Sequence, residues 1–291
     1  MKRLPAMIIT LAAVIGILML IWPHEKTPSA TSRHLVCYVG GTMTPVFNIL
    51  AAEYQKKTGG VVDITSADSG ELLATIEMLS QGDLYIAHDP FMDIAMRRGF
   101  GVNAWRLGEL YPVMVVQKGN PKNIHTLQDF LRPDVRVYLT DYQHSTLGNT
   151  LPIIFKHAGI DFKELNRIKK IPTHRSGSWV ANQVIMNAAD AALVWQVVAQ
   201  LRKKDLDIVS IDNVLPVPGV DTMTSATNKV YYVAPVKVAM VSLSCSKQPR
   251  EIEKFVSFVI SDEGKRIFRE NGFKVIDQYG KREYINGVKQ D

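Results

Sequence analysis

The chain has 291 residues, a formal net charge of +6, and 46% hydrophobic against 21% charged residues. That balance belongs to a globular protein, excludes intrinsic disorder, and leaves room for one large domain or two lobes with their own cores. The basic residues are spread along the chain, and no arginine-rich arm, zinc-finger spacing or helix-turn-helix candidate points to a nucleic-acid partner.

The N-terminus departs from this composition. Lys2 and Arg3 precede an apolar run from Met7 to Trp22 that is broken only by Thr10 and Gly16. Such a run suits a signal peptide, whereas a spanning helix needs ~20 apolar residues. Ala30 and Ser32 offer small residues for cleavage before Arg33, and an uncleaved anchor is the other reading. Either way the rest of the chain is expected outside the cytoplasmic membrane. Residues 1–32 carry Lys2, Arg3 and Lys26 against Glu25, which leaves +4 for the remainder.

From Leu35 short apolar runs alternate with amphipathic segments. The pattern predicts strands at 35–39, 61–65 and 84–87, and helices at 45–58, 71–81 and 90–98. Gly59-Gly60 and Gly82 supply helix stops, and Pro90 stands in a first helical turn. This βαβαβα order implies a parallel sheet covered on both faces. The next strand is expected at 111–117. A second series follows, with strands at 135–139, 191–195 and 206–211 and helices at 151–158 and 180–187. A long apolar run covers 230–243, then amphipathic helices fill the region up to Glu270, and the residues after Val275 read as a polar tail. Cys37 and Cys245 fall in predicted strands and read as two free thiols or one bridge.

Two turns stand where a strand should end and a helix begin. They are Gly40-Gly41-Thr42 and Asp68-Ser69-Gly70. A hydroxyl beside the free N–H groups of a helix N-terminus is a donor-rich pocket for an anion. Two such turns from neighbouring βα units can grip one ligand, so capture of a small oxyanion is the leading expectation.

The stretches GGTMTPVFNILAAEYQKKTG, SADSGELLATIEMLSQGDLYIAHDPFMD, YPVMVVQKGNP, TLQDFLRPDVRVYLTD, NAADAALVW and EIEKFVSFVISDEGKRIFRENGF lie in this order between Leu35 and Phe273. As an ordered set they resemble the periplasmic solute-binding proteins of ABC importers with the type II fold, molybdate/tungstate branch. The resemblance implies an α/β fold of two lobes, each a mixed sheet flanked by helices, with the ligand cleft between them. On that reading residues 33–117 form the first part of lobe one, 118–234 lobe two, 235–275 the return to lobe one, and 276–291 the tail.

The resemblance also implies a ligand set of uncharged donors. It places Gly41 and Thr42 after the first strand, Ser69 and Gly70 after the second, and the amides of His144 to Gly148, with Thr146 and Leu147 central, on one lobe-two loop. A second lobe-two loop falls on Ser176 and Gly177. Trp195 stands where the family has a tyrosine, and its indole N–H donates from a different place than a phenol. His144, His174 and Arg175 add positive charge to the lobe-two loops, and Asp68 would oppose an anion unless turned away. The partners implied are a small oxyanion and an ABC permease. The protein is expected to be monomeric, without a cofactor.

Three other readings remain. His88-Asp89, His144, His174 and Tyr231-Tyr232 suggest a metal-ion binder of the same fold. The N-terminal apolar run suggests a membrane-tethered anion sensor. Catalysis has the least support: Ser69 lacks the glycine two residues before it that a nucleophile elbow needs, and no phosphate-binding loop or zinc-protease motif is present.

Overall fold

A computed structural model describes residues 34–224, 230–233, 235–276, 281–285 and 288–289. The predicted signal or anchor segment, 1–32, lies outside the described residues.

The first half of lobe one builds as the periodicity predicts. Strands β1 (His34–Gly40), β2 (Val61–Ala67) and β3 (Leu84–His88) alternate with helices α1 (Thr44–Thr58), α2 (Ser69–Leu79) and α3 (Phe91–Arg97). Pro45 sits in the first turn of α1, and Gly59 ends it in the left-handed conformation, at φ +74°. Pro90 caps α3 from outside instead of opening it. β1 pairs in parallel with both β2 and β3.

Strand β4 (Gly101–Leu110) was not read from the sequence, yet it is central to the lobe-one sheet, where it pairs with β12 (Val236–Leu243), which in turn pairs with β3. Its partner β12 breaks register against it twice, at Val238/Ala239 and Ser242/Leu243. Such irregularities disturb the two-residue alternation by which a strand is recognised.

The chain then enters the second sheet one strand earlier than expected. Strand β5 (Pro112–Gln117), assigned to lobe one from the sequence, is an inner strand of the second sheet. The crossing is therefore at Tyr111. This sheet also contains β6 (Val137–Thr140), β7 (Thr173–His174), β8 (Ala191–Trp195) and β9 (Leu206–Val209), in the order β7-β6-β8-β5-β9. Helices α4 (Leu151–His157), α5 (Phe162–Lys169), α6 (Gly177–Ile185) and α7 (Gln196–Gln200) accompany these strands. Burial on both faces explains why β5 and β8 read as unbroken apolar runs.

The apolar run 230–243 is two elements. Its first part, β11 (Val230–Tyr232), pairs with β10 (Thr222–Thr224), and its second part, β12, returns to the lobe-one sheet. Helices α8 (Pro249–Val259) and α9 (Asp262–Glu270) follow, and α9 packs Phe268 edge-on against Phe47 of α1 at 5.8 Å. Beyond them β13 (Lys274–Val275) adds to β4, and where the sequence suggested a loose tail β14 (Lys281–Ile285) also pairs with β4 and β15 (Val288–Lys289) with β14.

One apolar cluster runs through both lobes. It extends from Phe47, Phe255 and Phe268 through Trp105 and Leu107 to Val113, Val194 and Trp195. The lobes are thus joined by packing as well as by their crossing strands. Cys37 is buried in β1, Cys245 lies beyond β12, and both are free thiols.

Candidate functional site

The carboxyl ends of β1, β2, β6 and β8 and the N-termini of α2 and α6 converge on a cleft of about 560 Å³ between the lobes. All nine residues expected to bind ligand line it: Gly41, Thr42, Ser69, Gly70, Thr146, Leu147, Ser176, Gly177 and Trp195. What distinguishes them is whether their donors are already used within the protein.

On the lobe-one side the Gly41 amide is used, donating to the Ala67 carbonyl at 3.0 Å and tying the two turns together. Thr42 has no hydrogen-bond partner among the described residues. Ser69 opens α2 and is only 6% exposed, and its hydroxyl has the Tyr85 hydroxyl as its protein neighbour. Its carbonyl is pinned by the Tyr85 hydroxyl at 2.6 Å, so the turn is held from beneath. Burial pushes the Tyr85 pKa well above the usual phenol value, which keeps this donor protonated. Gly40 is required by close approach. A Cβ there would lie 2.6 Å from Ser69 Oγ and 2.7 Å from Met43 Cε. Asp68 caps α2 through its backbone, without a side-chain cap. The first N–H groups of α2, at Ser69, Gly70 and Glu71, face this end without an acceptor in the helix.

On the lobe-two side the loop after β6 is organised by Asp141. Its carboxylate accepts from the amides of Gln143 (2.8 Å) and His144 (2.9 Å), and its carbonyl accepts from the Ser145 amide (3.0 Å) and hydroxyl (2.8 Å). Burial alone would raise the Asp141 pKa, but these amides and the His144 ring hold it below the usual carboxylate value. The Gly148 amide donates to Ser145 Oγ at 2.9 Å. Of the five amides the sequence singled out, His144, Ser145 and Gly148 are therefore committed to the loop, and Thr146 and Leu147 are unspent. A Cβ on Gly148 would fall 1.9 Å from the Asp141 carbonyl oxygen, so the loop closes only around glycine.

The second loop behaves similarly. Ser176 caps α6, its hydroxyl accepting from the Trp179 amide at 3.3 Å, while its own amide donates to His174 Nδ1 at 3.0 Å. The Ser176 amide is thus committed, its hydroxyl keeps a proton to donate, and the amides of Gly177 and Ser178 are free at the first turn of α6. The His174 ring stacks on Trp179 at 4.6 Å, which fixes the acceptor. Trp195 closes the floor at the end of β8, 8% exposed, with its indole N–H unpartnered among the described residues.

One buried lining hydroxyl was not singled out by the sequence reading. Thr140, the last residue of β6, is 2% exposed, and its hydroxyl has no partner among the described residues. Nothing in its local pattern separates it from an ordinary strand residue. His88, read as a metal ligand, sits beside Phe91 with Nδ1 bonded to the Asp89 carbonyl at 2.8 Å, and burial lowers its pKa, keeping the ring neutral. The charged lining residues are Asp68, Glu71 and Arg175, all exposed. The buried wall is uncharged. Among the described residues no group of three or more His, Cys, Asp or Glu side chains is placed to hold a metal ion, and the scattered His88, His144 and His174 do not assemble one. The side chain of Tyr231 lies outside the described residues, and Tyr232 is exposed on β11.

A donor-rich cleft with an uncharged buried wall, set between two mixed-sheet lobes, fits a protein that binds a solute. The chain belongs to the bacterial extracellular solute-binding protein family, whose model matches residues 35–274. A putative binding protein of Haemophilus influenzae is 24% identical over 257 residues, covering 85% of this chain and 93% of that protein. The molybdate-binding protein ModA of Mycobacterium bovis is 23% identical over 249 residues, covering 84% and 86%. Among solved structures, the substrate-binding domain of a putative molybdenum ABC transporter from Clostridium difficile superposes with a TM-score of 0.64 at 17% identity, covering 84% of this chain and 99% of that one. That likeness carries the fold, the two-lobed type II periplasmic binding-protein architecture.

Proposed function

We propose that the protein captures a tetrahedral oxyanion, molybdate or tungstate, outside the cytoplasmic membrane and delivers it to an ABC permease without catalysing a reaction. The observation that carries this reading is the set of unspent donors on one cleft: the Thr42 and Ser69 hydroxyls, the first N–H groups of α2, and the amides of Thr146, Leu147, Gly177 and Ser178. Helix N-termini from opposite lobes aim there, and their dipoles favour negative charge. The likeness to a molybdate-binding protein and to the substrate-binding domain of a putative molybdenum transporter supports the choice of anion.

The chemistry follows from the donors. Each charge-assisted hydrogen bond contributes ~1.5–3 kcal/mol, so several together reach high affinity without a buried lysine or arginine. A wall of N–H donors also disfavours an anion that keeps a proton, because that proton would face another donor. Such a site separates molybdate and tungstate from hydrogen phosphate. The cleft is wider than one such anion, so gripping from both sides requires the lobes to close, and closure is the signal a permease can read. The protein acts as a monomer, and residues 1–32 direct its export or anchor it. Among the described residues no helix is long and apolar enough to cross a membrane.

Calorimetric titration of the purified protein with molybdate, tungstate, sulfate and phosphate tests the reading. Sub-micromolar binding of the first two, with weak response to the others, is expected. No heat with any of the four would overturn it.

A further inference from the structure

The structure assigns a further ligand donor to Thr140, a residue that no comparison or motif singles out. This inference rests on the oxyanion reading above and deepens it. Thr140 ends β6 at the floor of the cleft, paired in register with His174 of β7. A Cβ on Gly177 would lie 3.9 Å from Thr140 Cγ2, which places the residue beside the free first turn of α6. It is 2% exposed, and its Oγ1 is one of two buried side-chain polar atoms without a partner among the described residues.

Buried hydroxyls are nearly always hydrogen-bonded, because leaving one unpaired is destabilising. The polar groups next to it in the chain and across β7 bond within the loops and leave Thr140 unpaired. Asp141 Oδ1 receives the amides of Gln143 and His144, the Asp141 carbonyl receives Ser145, and His174 Nδ1 receives the Ser176 amide. The other strand-end hydroxyl of this lobe's loops, Ser145, is spent on that same carbonyl. Thr140 is therefore the buried lobe-two hydroxyl still able to donate, and it lines the same cleft as the free Gly177 amide. An anion oxygen seated at that N-terminus is the acceptor it lacks. With Thr42 and Ser69 opposite, the ligand would be held by hydroxyls from both lobes, which makes Thr140 a contact that closure completes.

The test compares wild type, Thr140→Val and Thr140→Ser by calorimetric titration with molybdate and tungstate, together with melting temperatures with and without anion. Thr140→Val keeps the shape and removes the hydroxyl. It is expected to weaken binding about tenfold or more and to shrink the anion-induced rise in melting temperature, while the anion-free protein melts at or above the wild-type temperature. Thr140→Ser should bind within about threefold of wild type. A purely structural hydroxyl would instead lower the anion-free melting temperature of Thr140→Val and leave affinity unchanged, and that result overturns the assignment. Wild-type binding with an equally tight Thr140→Val overturns Thr140 alone. Silence of the wild-type protein towards the anions overturns the oxyanion reading and this assignment with it.

Discussion

Replacing Ser69 by alanine separates ligand binding from folding more cleanly than any other change on the lobe-one side. The protein group beside the hydroxyl is the Tyr85 hydroxyl, which keeps its bond to the Ser69 carbonyl when the side chain is shortened. The backbone turn survives, because Tyr85 holds the Ser69 carbonyl and the Gly41 amide holds Ala67. Ser69 is also the first residue of α2, where alanine is a good helix former. Stability of the anion-free protein should therefore stay within ~0.5 kcal/mol of wild type. Binding should not. One charge-assisted hydrogen bond is worth ~1.5–3 kcal/mol, which corresponds to a loss of about 10- to 150-fold in affinity. Calorimetry with molybdate measures the affinity, and thermal unfolding followed by circular dichroism measures the stability. An affinity within twofold of wild type would refute the placement of the anion at the α2 N-terminus. A large drop in stability would refute the claim that the hydroxyl is unspent.

Two further changes probe the scaffold. Gly148→Ala should destabilise the protein by about 1–3 kcal/mol and weaken anion binding together, since a Cβ there strikes the Asp141 carbonyl that shapes the loop, and thermal unfolding with titration reads both. Asp190→Asn addresses acid stability. Asp190 is 2% exposed and accepts from Arg136 Nη2 at 2.7 Å, Arg136 Nε at 3.1 Å and the Arg136 amide at 2.8 Å. Burial opposes ionisation, but these bonds together lower its pKa. A depressed folded pKa stabilises fully above the unfolded value of about 3.9 and is lost as pH falls through the folded value. The wild-type protein should therefore lose stability steeply below about pH 4. The variant should be weaker by about 1–2 kcal/mol at pH 7, an amount discounted for the exposure of Arg136, and flatter over the acid range. Urea unfolding at a series of pH values checks this, and parallel acid profiles would refute it.

Periodicity and punctuation carry most of what the sequence determines here. The βα alternation of residues 34–98, the stop at Gly59 and the hydroxyls standing just past strand ends are local properties, readable without neighbours. The same holds for Gly41, Thr42, Ser69 and Gly70, because a strand-to-helix turn in a parallel sheet faces the ligand side by its connectivity alone, whereas Thr146, Leu147, Ser176, Gly177 and Trp195 followed from the family resemblance. The stop expected at Gly82 falls instead on Ser80, which caps α2 in the left-handed conformation. Three things needed the folded chain. The place of β4 and of β5 depended on pairing with β12 and β8, partners more than 70 residues away in sequence. Which donors remain free depended on who else reached them first: the Gly41 amide is taken by Ala67, the Ser176 amide by His174, and the His144, Ser145 and Gly148 amides by their own loop. Thr140 stands out only after burial has stripped it of water and the packing around it has left its hydroxyl without an acceptor. A residue's type fixes what it can donate. Its competitors, brought close by tertiary structure, decide whether anything is left for a ligand.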